Sequence, residues 1–353
     1  MSQQAAVLTV ENLVKRFGDG VAVDGISAEV AAGELLALVG PSGCGKSTLL
    51  RLIAGLSPPD SGRVLIDGRE VAGPGTWVPA ERRGVGMVFQ DHALFPHLSV
   101  RDNVAFGLAR RSTGRRARVD EVLDLVGLGS LADRYPHELS GGEVQRVAVA
   151  RALAPEPAVV LLDEPFSDLD RNLRTRVRDD VVGVLRTAGT TGVFVTHDQE
   201  EALAVGDRVA VACAGRIEQV GRPEAVFHAP ASRFVATFMG EADFLPGRRD
   251  GAKAATPWGT VPVTVPEPGE TPEAAAVDVM VRPDDVHFSP DPAGAAVVRR
   301  AEFRGSFVVY HLDLGDGVTV RSMRSHVGPV EPGTRVAVHL DPGHPLAAFP
   351  AGP

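Results

Sequence analysis

Over roughly the first two-thirds of the chain, short unbroken apolar runs alternate with longer stretches of helical spacing. Residues 35–39 (LLALV), 159–162 (VVLL) and 193–196 (VFVT) are of strand length and carry no polar face, the pattern of strands buried on both sides of a parallel sheet. Between 91 and 136 that signal stops. Segments such as VRDNVAFGLARR and VDEVLDLVGL there place apolar residues three and four apart, which predicts a helical insertion. Past about residue 240, Gly and Pro clusters separate short runs at 261–265, 307–312 and 336–340, the mark of a small all-β domain. The expected organisation is an α/β domain over 1–240, with a helical subdomain at about 91–155, followed by a β-rich domain over 241–353. No internal repeat of solenoid period interrupts it.

Composition narrows the class. A chain of 353 residues suggests about two domains, and no apolar run approaches the ~18 residues of a membrane-spanning helix. The start, MSQQAAVLTVENLVKRF, has no basic leader followed by an apolar stretch, so cytosol is the expectation. Cys44 and Cys213 stand in no metal-ligand spacing and are expected to be free thiols. A net charge of −9 argues against broad electrostatic binding to nucleic acid. The basic run Arg110, Arg111, Arg115, Arg116 and Arg118 reads as a solvated loop and helix face.

The chemistry concentrates at three places. Gly40-Pro41-Ser42-Gly43-Cys44-Gly45-Lys46-Ser47 follows the apolar run 35–39 and opens the helical pattern beginning at Thr48, the context a G-x-x-x-x-G-K-[ST] phosphate loop requires. Its glycines let backbone N–H groups approach phosphates, Lys46 reaches the β and γ phosphates of ATP, and Ser47 offers an oxygen to Mg²⁺. A plain Gly-rich strand-to-helix turn is the structural alternative. The run 159–162 ends in Asp163 and Glu164, at the carboxyl end of a strand where open α/β sheets bind ligands. Asp163 there holds Mg²⁺ and Glu164 orients or deprotonates the attacking water; a solvated turn before Pro165 is the alternative. Finally, Ser140 and Glu143 form a capping box at the start of a helix that Pro155 stops, with Gly141 and Gly142 in its first turn. Glycine there costs helix stability, so something must need the room, and bare N–H groups beside a hydroxyl make an anion site. Two phosphate sites with one hydrolytic set suggest a pair of copies, residues 140–142 of one covering the nucleotide held by 40–47 of the other.

At these residues the chain resembles the ATP-binding subunits of ABC transporters, over about residues 7–240. The resemblance implies a P-loop NTPase fold, and LSGGE at 139–143 matches the family signature that supports the face-to-face dimer. Gln90, after the run 86–89, matches the Q-loop that contacts Mg²⁺ and senses the membrane partner. His197 in VFVTHD matches the switch histidine that bonds the γ-phosphate. Ser167-Asp168-Leu169-Asp170 matches the D-loop, with Asp168 where a small residue is usual. Phe17 stands where the family carries a Tyr that stacks on adenine. Singly, Phe17 also reads as core, Gln90 as a turn residue and His197 as a strand-end histidine; their order and spacing relative to the two strong motifs point to the site.

The run 198–203 and the β-rich tail resemble the importer branch whose ATPase carries a C-terminal TOBE-type domain of small OB-like barrels. Residues 240–247 (GEADFLPG) look like the junction in ferric-iron importers. The resemblance thus implies an ATPase on the cytoplasmic face of the membrane, working as a dimer with integral-membrane permease subunits and, indirectly, with an extracytoplasmic solute-binding protein. Iron(III) is the cargo expected first, with polyamine, sulfate, phosphonate or sugar as alternatives. A non-transport ABC ATPase acting on nucleic acid or ribosomes, or a nucleotide-responsive regulator, are the rivals of another class.

Overall fold

The computed structural model describes residues 6–109, 113–167, 169–265 and 275–351; Arg110, Arg111 and Asp168 lie outside them. The chain divides into two compact units, Met1–Pro223 and Glu224–Pro353.

In chain order the first unit is built from β1 (Ala6–Phe17), β2 (Gly20–Ala31), β3 (Leu35–Val39), α1 (Lys46–Ala54), β4 (Ser61–Ile66), β5 (Arg69–Gly73), β6 (Thr76–Trp77) and β7 (Val85–Val88). Then come α2 (Val100–Ala105), α3 (Arg115–Leu125), α4 (Gly141–Leu153), β8 (Val159–Asp163), α5 (Arg171–Thr187), β9 (Thr191–Thr196), α6 (Gln199–Val205), β10 (Arg208–Cys213) and β11 (Arg216–Gly221). A six-stranded sheet runs β11-β10-β3-β9-β8-β7, parallel from β10 to β7, with β11 antiparallel at the edge. Every residue of β3, β8 and β9 is buried, which is why these strands show no polar alternation. A second, antiparallel sheet, β2-β1-β4-β5-β6, had no counterpart in the sequence reading. Its inward side chains, such as Leu8, Leu13, Val23 and Val64, share one core with Leu49, Leu50 and Ile53 of α1 and with Leu36, Leu161 and Val195 of the parallel sheet.

The helical insertion is α2, α3 and α4. Asn103, fully buried in α2, accepts from Phe95 N at 2.9 Å and donates to Phe95 O, Leu98 O and Ser99 O at 3.0–3.1 Å, so the loop before α2 is fastened to it. Of the basic run, Arg116 is exposed as expected, while Arg115 and Arg118 depart from the solvated face. Arg115 donates to Ala105 O at 2.9 Å, and Arg118 donates to Leu153 O and Ala154 O, each at 3.1 Å. These side chains bond carbonyls at helix C-termini, where the regular intrahelical partners run out.

The second unit contains α7 (Pro223–His228), which starts at the boundary, and α8 (Arg233–Phe238). Its strands are β12 (Asp243–Asp250), β13 (Lys253–Thr256), β14 (Gly259–Thr264), β15 (Ala276–Val281), β16 (Val286–Pro290), β17 (Ala296–Phe303), β18 (Phe307–Gly315), β19 (Val318–Ser325), β20 (Arg335–Leu340) and β21 (Leu346–Pro350). The closed barrel β12-β13-β14-β21-β15 and the five-stranded sheet β16-β20-β17-β18-β19 share a core that includes Leu245, Val279, Tyr310 and Leu346. Arg282, only 1% exposed, donates to Phe227 O, Ala236 O and Glu241 O and stacks on the Phe227 ring at 4.0 Å. It fastens the stretch around 227–241 to the barrel, so residues 224–240, which the composition reading grouped with the first domain, pack in the second unit.

Candidate functional site

Register decides where the chemistry meets. Val39 pairs with Thr196, Asp163 with Val195 and Val88 with Leu162, so the residues that follow, Gly40, His197, Glu164 and Gln90, leave the sheet along one edge. This is the carboxyl edge of a parallel sheet, where helix N-termini and loops are free to face a ligand.

The loop 40–47 is welded to that edge by its glycines. Gly45 caps α1 with φ 97°, and a Cβ there would lie 1.9 Å from Ala22 O; at Gly40 one would lie 2.2 Å from Ala212 O. Gly43, at φ 79°, also needs the left-handed region. Ser42 and Gly43 face solvent, Cys44 is buried, and Pro41, Ser47 and Thr48 are half-buried. Lys46, 5% exposed, donates from Nζ to Gly40 O at 2.7 Å and Pro41 O at 2.9 Å, so its ammonium sits inside the curl of the loop. Ser47 Oγ donates to Asp163 Oδ1 at 2.8 Å, which ties the loop to the end of β8. Burial pushes the Asp163 carboxyl up, and the Ser47 hydroxyl opposes that shift.

Glu164 occupies the left-handed region at φ 44°, a conformation that costs a non-glycine residue roughly 1–2 kcal/mol. It is held there by its own N–H, which donates to Val195 O at 3.0 Å, and by Ser167 Oγ, which donates to Glu164 O at 3.1 Å. The turn aims its carboxylate at His197, whose Nδ1 lies 2.8 Å from Glu164 Oε2. The sequence placed both residues at the site and missed their bond. A further layer also went unread: Asp198 caps α6 through Glu200 N and Glu201 N, and Thr196 Oγ1 donates to the buried Glu201 Oε2 at 2.7 Å. Together these brace the turn that carries His197. Arg174 Nη2 donates to Ser167 O at 3.3 Å and Leu169 O at 3.1 Å, steadying the turn after Glu164.

Gln90 is exposed, two residues past the end of β7. Phe17, 58% exposed at the end of β1, pairs with Gly20, two residues before the Ala22 carbonyl that packs on Gly45. It thus lies on the hairpin that borders the loop, open for stacking rather than in the core. Lys15 Nζ stands 5.5 Å from its ring centre.

Ser140 is exposed at the start of α4, and both its N–H and its hydroxyl donate to Glu143 Oε2 at 2.7 Å. The glycines beside it have a reason within the fold. A Cβ at Gly142 would meet Val177 Cγ2 at 2.7 Å, and one at Gly141 would meet Leu169 Cδ2 at 3.2 Å. The room that the sequence assigned to a phosphate is thus, at buried Gly142, the room α4 needs to lie on α5. Among the described residues no hydrogen bond or ion pair joins 140–142 to 40–47.

With this geometry in hand, comparisons with known proteins give consistent results. A family model described as ABC transporter matches residues 23–167, and one described as TOBE domain matches 279–347. A sulfate/thiosulfate import ATP-binding protein of Chromobacterium violaceum is 43% identical over 357 residues, covering 97% of this chain and 95% of the relative. An Fe(3+) ions import ATP-binding protein of Rhodococcus jostii is 46% identical over 342 residues, covering 94% and 96%. Among solved structures, a component of an ABC transporter complex of Clostridium perfringens aligns with TM-score 0.56 at 33% identity, over 63% of this chain and 91% of that one. A dimeric, post-hydrolysis ATP-binding cassette bound to ADP and Pi aligns with TM-score 0.53 at 31% identity, over 61% and 98%.

Proposed function

We propose that this chain, which belongs to the ABC transporter family as an import-type ATP-binding subunit with a TOBE domain, closes in pairs on ATP and drives solute uptake through membrane permeases. The observation that carries the reading is one sheet edge holding the loop 40–47 and two bonded pairs, Ser47–Asp163 and Glu164–His197, each at 2.8 Å. The loop amides and Lys46 bind the phosphates and meet the charge that develops on them during transfer. Glu164, fixed by its turn, orients the attacking water; His197 holds that carboxylate in place until ATP is seated and then contacts the γ-phosphate. Phe17 stacks on the adenine. Ser140, Gly141 and Gly142 of the partner copy cover the nucleotide.

The donor set fits Mg²⁺: a hydroxyl and a carboxylate already bonded to each other supply hard oxygen ligands, the type this ion takes in addition to substrate phosphates. Ser47 and Asp163 would hold it, with Gln90 reaching from the next strand end, and the ion would supply charge neutralisation of the phosphates. Permease subunits are proposed to seat near Gln90 and the helical insertion on the cytoplasmic face, with a solute-binding protein acting from the other side. Among the described residues no helix is long and apolar enough to cross a membrane.

The test is Glu164→Gln. General-base assistance is typically worth about 10²–10⁴ in rate, so turnover should fall by that much while ATP still binds and a dimer accumulates, seen by light scattering. Unchanged turnover would remove Glu164 from the role. For the cargo we propose iron(III), supported by the junction at 240–247 and by the Rhodococcus relative. The second reading, sulfate or thiosulfate, is supported equally by the Chromobacterium relative. Uptake of radiolabelled iron and of radiolabelled sulfate by cells lacking this chain separates the two. Recovery of ribosomes or DNA instead of a multi-spanning permease in pull-downs from native membranes would overturn transport altogether.

A further inference from the structure

The backbone just past Gln90 is strained. His92 (φ 59°) and Ala93 (φ 47°) stand consecutively in the left-handed region, which residues bearing a Cβ avoid. Two such neighbours persist only where the surroundings impose them. Besides the turn's own bonds, His92 N to Phe89 O at 3.0 Å and Ala93 N to Asp91 O at 2.7 Å, what holds them is Arg151, in the last turn of α4. Its Nη2 donates to His92 O at 2.8 Å, its Nη1 to Ala93 O at 2.5 Å, and its guanidinium lies 5.9 Å from the Phe95 ring centre. The other side of Phe95 is taken by α2: Asn103 binds both its N–H and its carbonyl, and Phe106 packs on its ring at 4.3 Å.

An arginine in the last turn of a helix can turn to the helix's own last carbonyls. Here Arg118 of α3 has taken Leu153 O and Ala154 O, and Arg151 points away to the loop. Its fork suits two adjacent carbonyls, which the point charge of a lysine does not. The same helix begins at Gly141, about 15 Å away at ~1.5 Å of rise per residue. One rigid element therefore has Ser140 to Gly142 at one end and the backbone of His92 and Ala93 at the other.

We infer that Arg151 is a positioning residue that carries the engagement of residues 140–142 to the segment 90–95, so that Gln90 and the surface beside it move as a body with α4. This rests on the proposed role of 140–142 in covering a partner's nucleotide. The test is hydrogen exchange of the full chain, with and without MgATP, in a Glu164→Gln background that suppresses turnover. In the parent, MgATP slows exchange in peptides spanning 40–47, 140–150 and 88–96. In Arg151→Met the first two still respond, while 88–96 exchanges at least about tenfold faster and ignores ATP, since bonds to a charged group are the strong ones. Arg151→Lys, which keeps the charge and loses the fork, gives an intermediate response and serves if the Met variant does not fold.

An ATP response of 88–96 that is the same in the Met variant as in the parent overturns the inference and leaves the proposed function standing. So does a Lys variant indistinguishable from the parent. No ATP response at 140–150 in the parent overturns the underlying reading, and the inference with it.

Discussion

At Gly45 the neighbour that forbids a side chain is a backbone carbonyl, Ala22 O at 1.9 Å; at Gly142 it is a single methyl, Val177 Cγ2 at 2.7 Å. The difference separates two turns that both read as glycine-bearing anion sites. A carbonyl of β2 steps aside only if the strand moves, and the same holds at Gly40 for Ala212 O of β10. The loop 40–47 is therefore shaped by the sheets it is welded to, and its geometry is set before any ligand arrives. The turn at 140–142 is shaped by how closely α4 lies on α5. Its contact is between side chains, and side chains repack. One turn is fixed by backbone and the other is adjustable through side chains.

Gly45→Ala tests the fixed side and carries the largest effect. Alanine at φ 97° is strained wherever it sits, and the carbonyl contact adds to that, so the loop must open. At ~1.4 kcal/mol per tenfold, a strain of ~3 kcal/mol means ATP affinity lower by about 100-fold or more. Equilibrium binding of a fluorescent ATP analogue reads this. Affinity within a few-fold of the parent would show that the loop moves freely, and the contrast would fail.

Gly142→Ala tests the adjustable side. Alanine gains roughly 0.5–1 kcal/mol as a helix residue, against about 1–3 kcal/mol for overpacking Val177. The expected net loss of ~1 kcal/mol is measurable by denaturant unfolding. Val177→Ala added to it removes the methyl, so the pair should be less destabilising than the sum of the two single changes. The ATPase rate of the double variant then sharpens the comparison. Activity returning with stability assigns the glycine to packing. Activity staying low in a stable protein assigns it to a phosphate, as the sequence alone suggested.

That ambiguity shows where sequence reasoning works. Strands β3, β8 and β9 were legible because burial on both faces leaves an unbroken apolar run. The antiparallel sheet was not: β1 is half-exposed, and bulges shift its register against β2, which breaks the period-2 signal. In the second unit, the runs at 261–265, 307–312 and 336–340 fell on β14, β18 and β20, while β12 and β17, with outward Arg248, Arg299 and Arg300, passed unread. The loop 40–47 and the pair Asp163 and Glu164 were legible because each is contiguous and adjoins a strand. The Glu164–His197 bond spans 33 residues and depends on the register of β8 against β9, and Arg151 meets the loop 58 and 59 residues before it. Local pattern cannot carry contacts of that kind.

The smallest effect belongs to the adjustable turn and comes from its charge. The Ser140 N–H, and after it the Ser140 hydroxyl, hold the Glu143 carboxyl below the usual glutamate range, helped by Arg146 and Arg134. A carboxyl whose folded value is depressed stabilises the folded state above its unfolded value, and that contribution is lost as the pH falls through the folded value. The first turn of α4 should thus be steady from neutrality down to about pH 4 and fray below it, seen as faster exchange of the Ser140 and Gly141 amides. Glu143 is half-buried at the surface, so solvent still screens the pairing and keeps the effect small, under ~1 kcal/mol. Glu143→Gln keeps an acceptor for both Ser140 bonds and removes the charge, so the turn should persist and its acid sensitivity vanish. Acid fraying that survives in the Gln variant would mean that the box is not what titrates. The looseness of this turn relative to 40–47 would then have to come from the α4–α5 contact alone, which the Gly142 and Val177 variants measure directly.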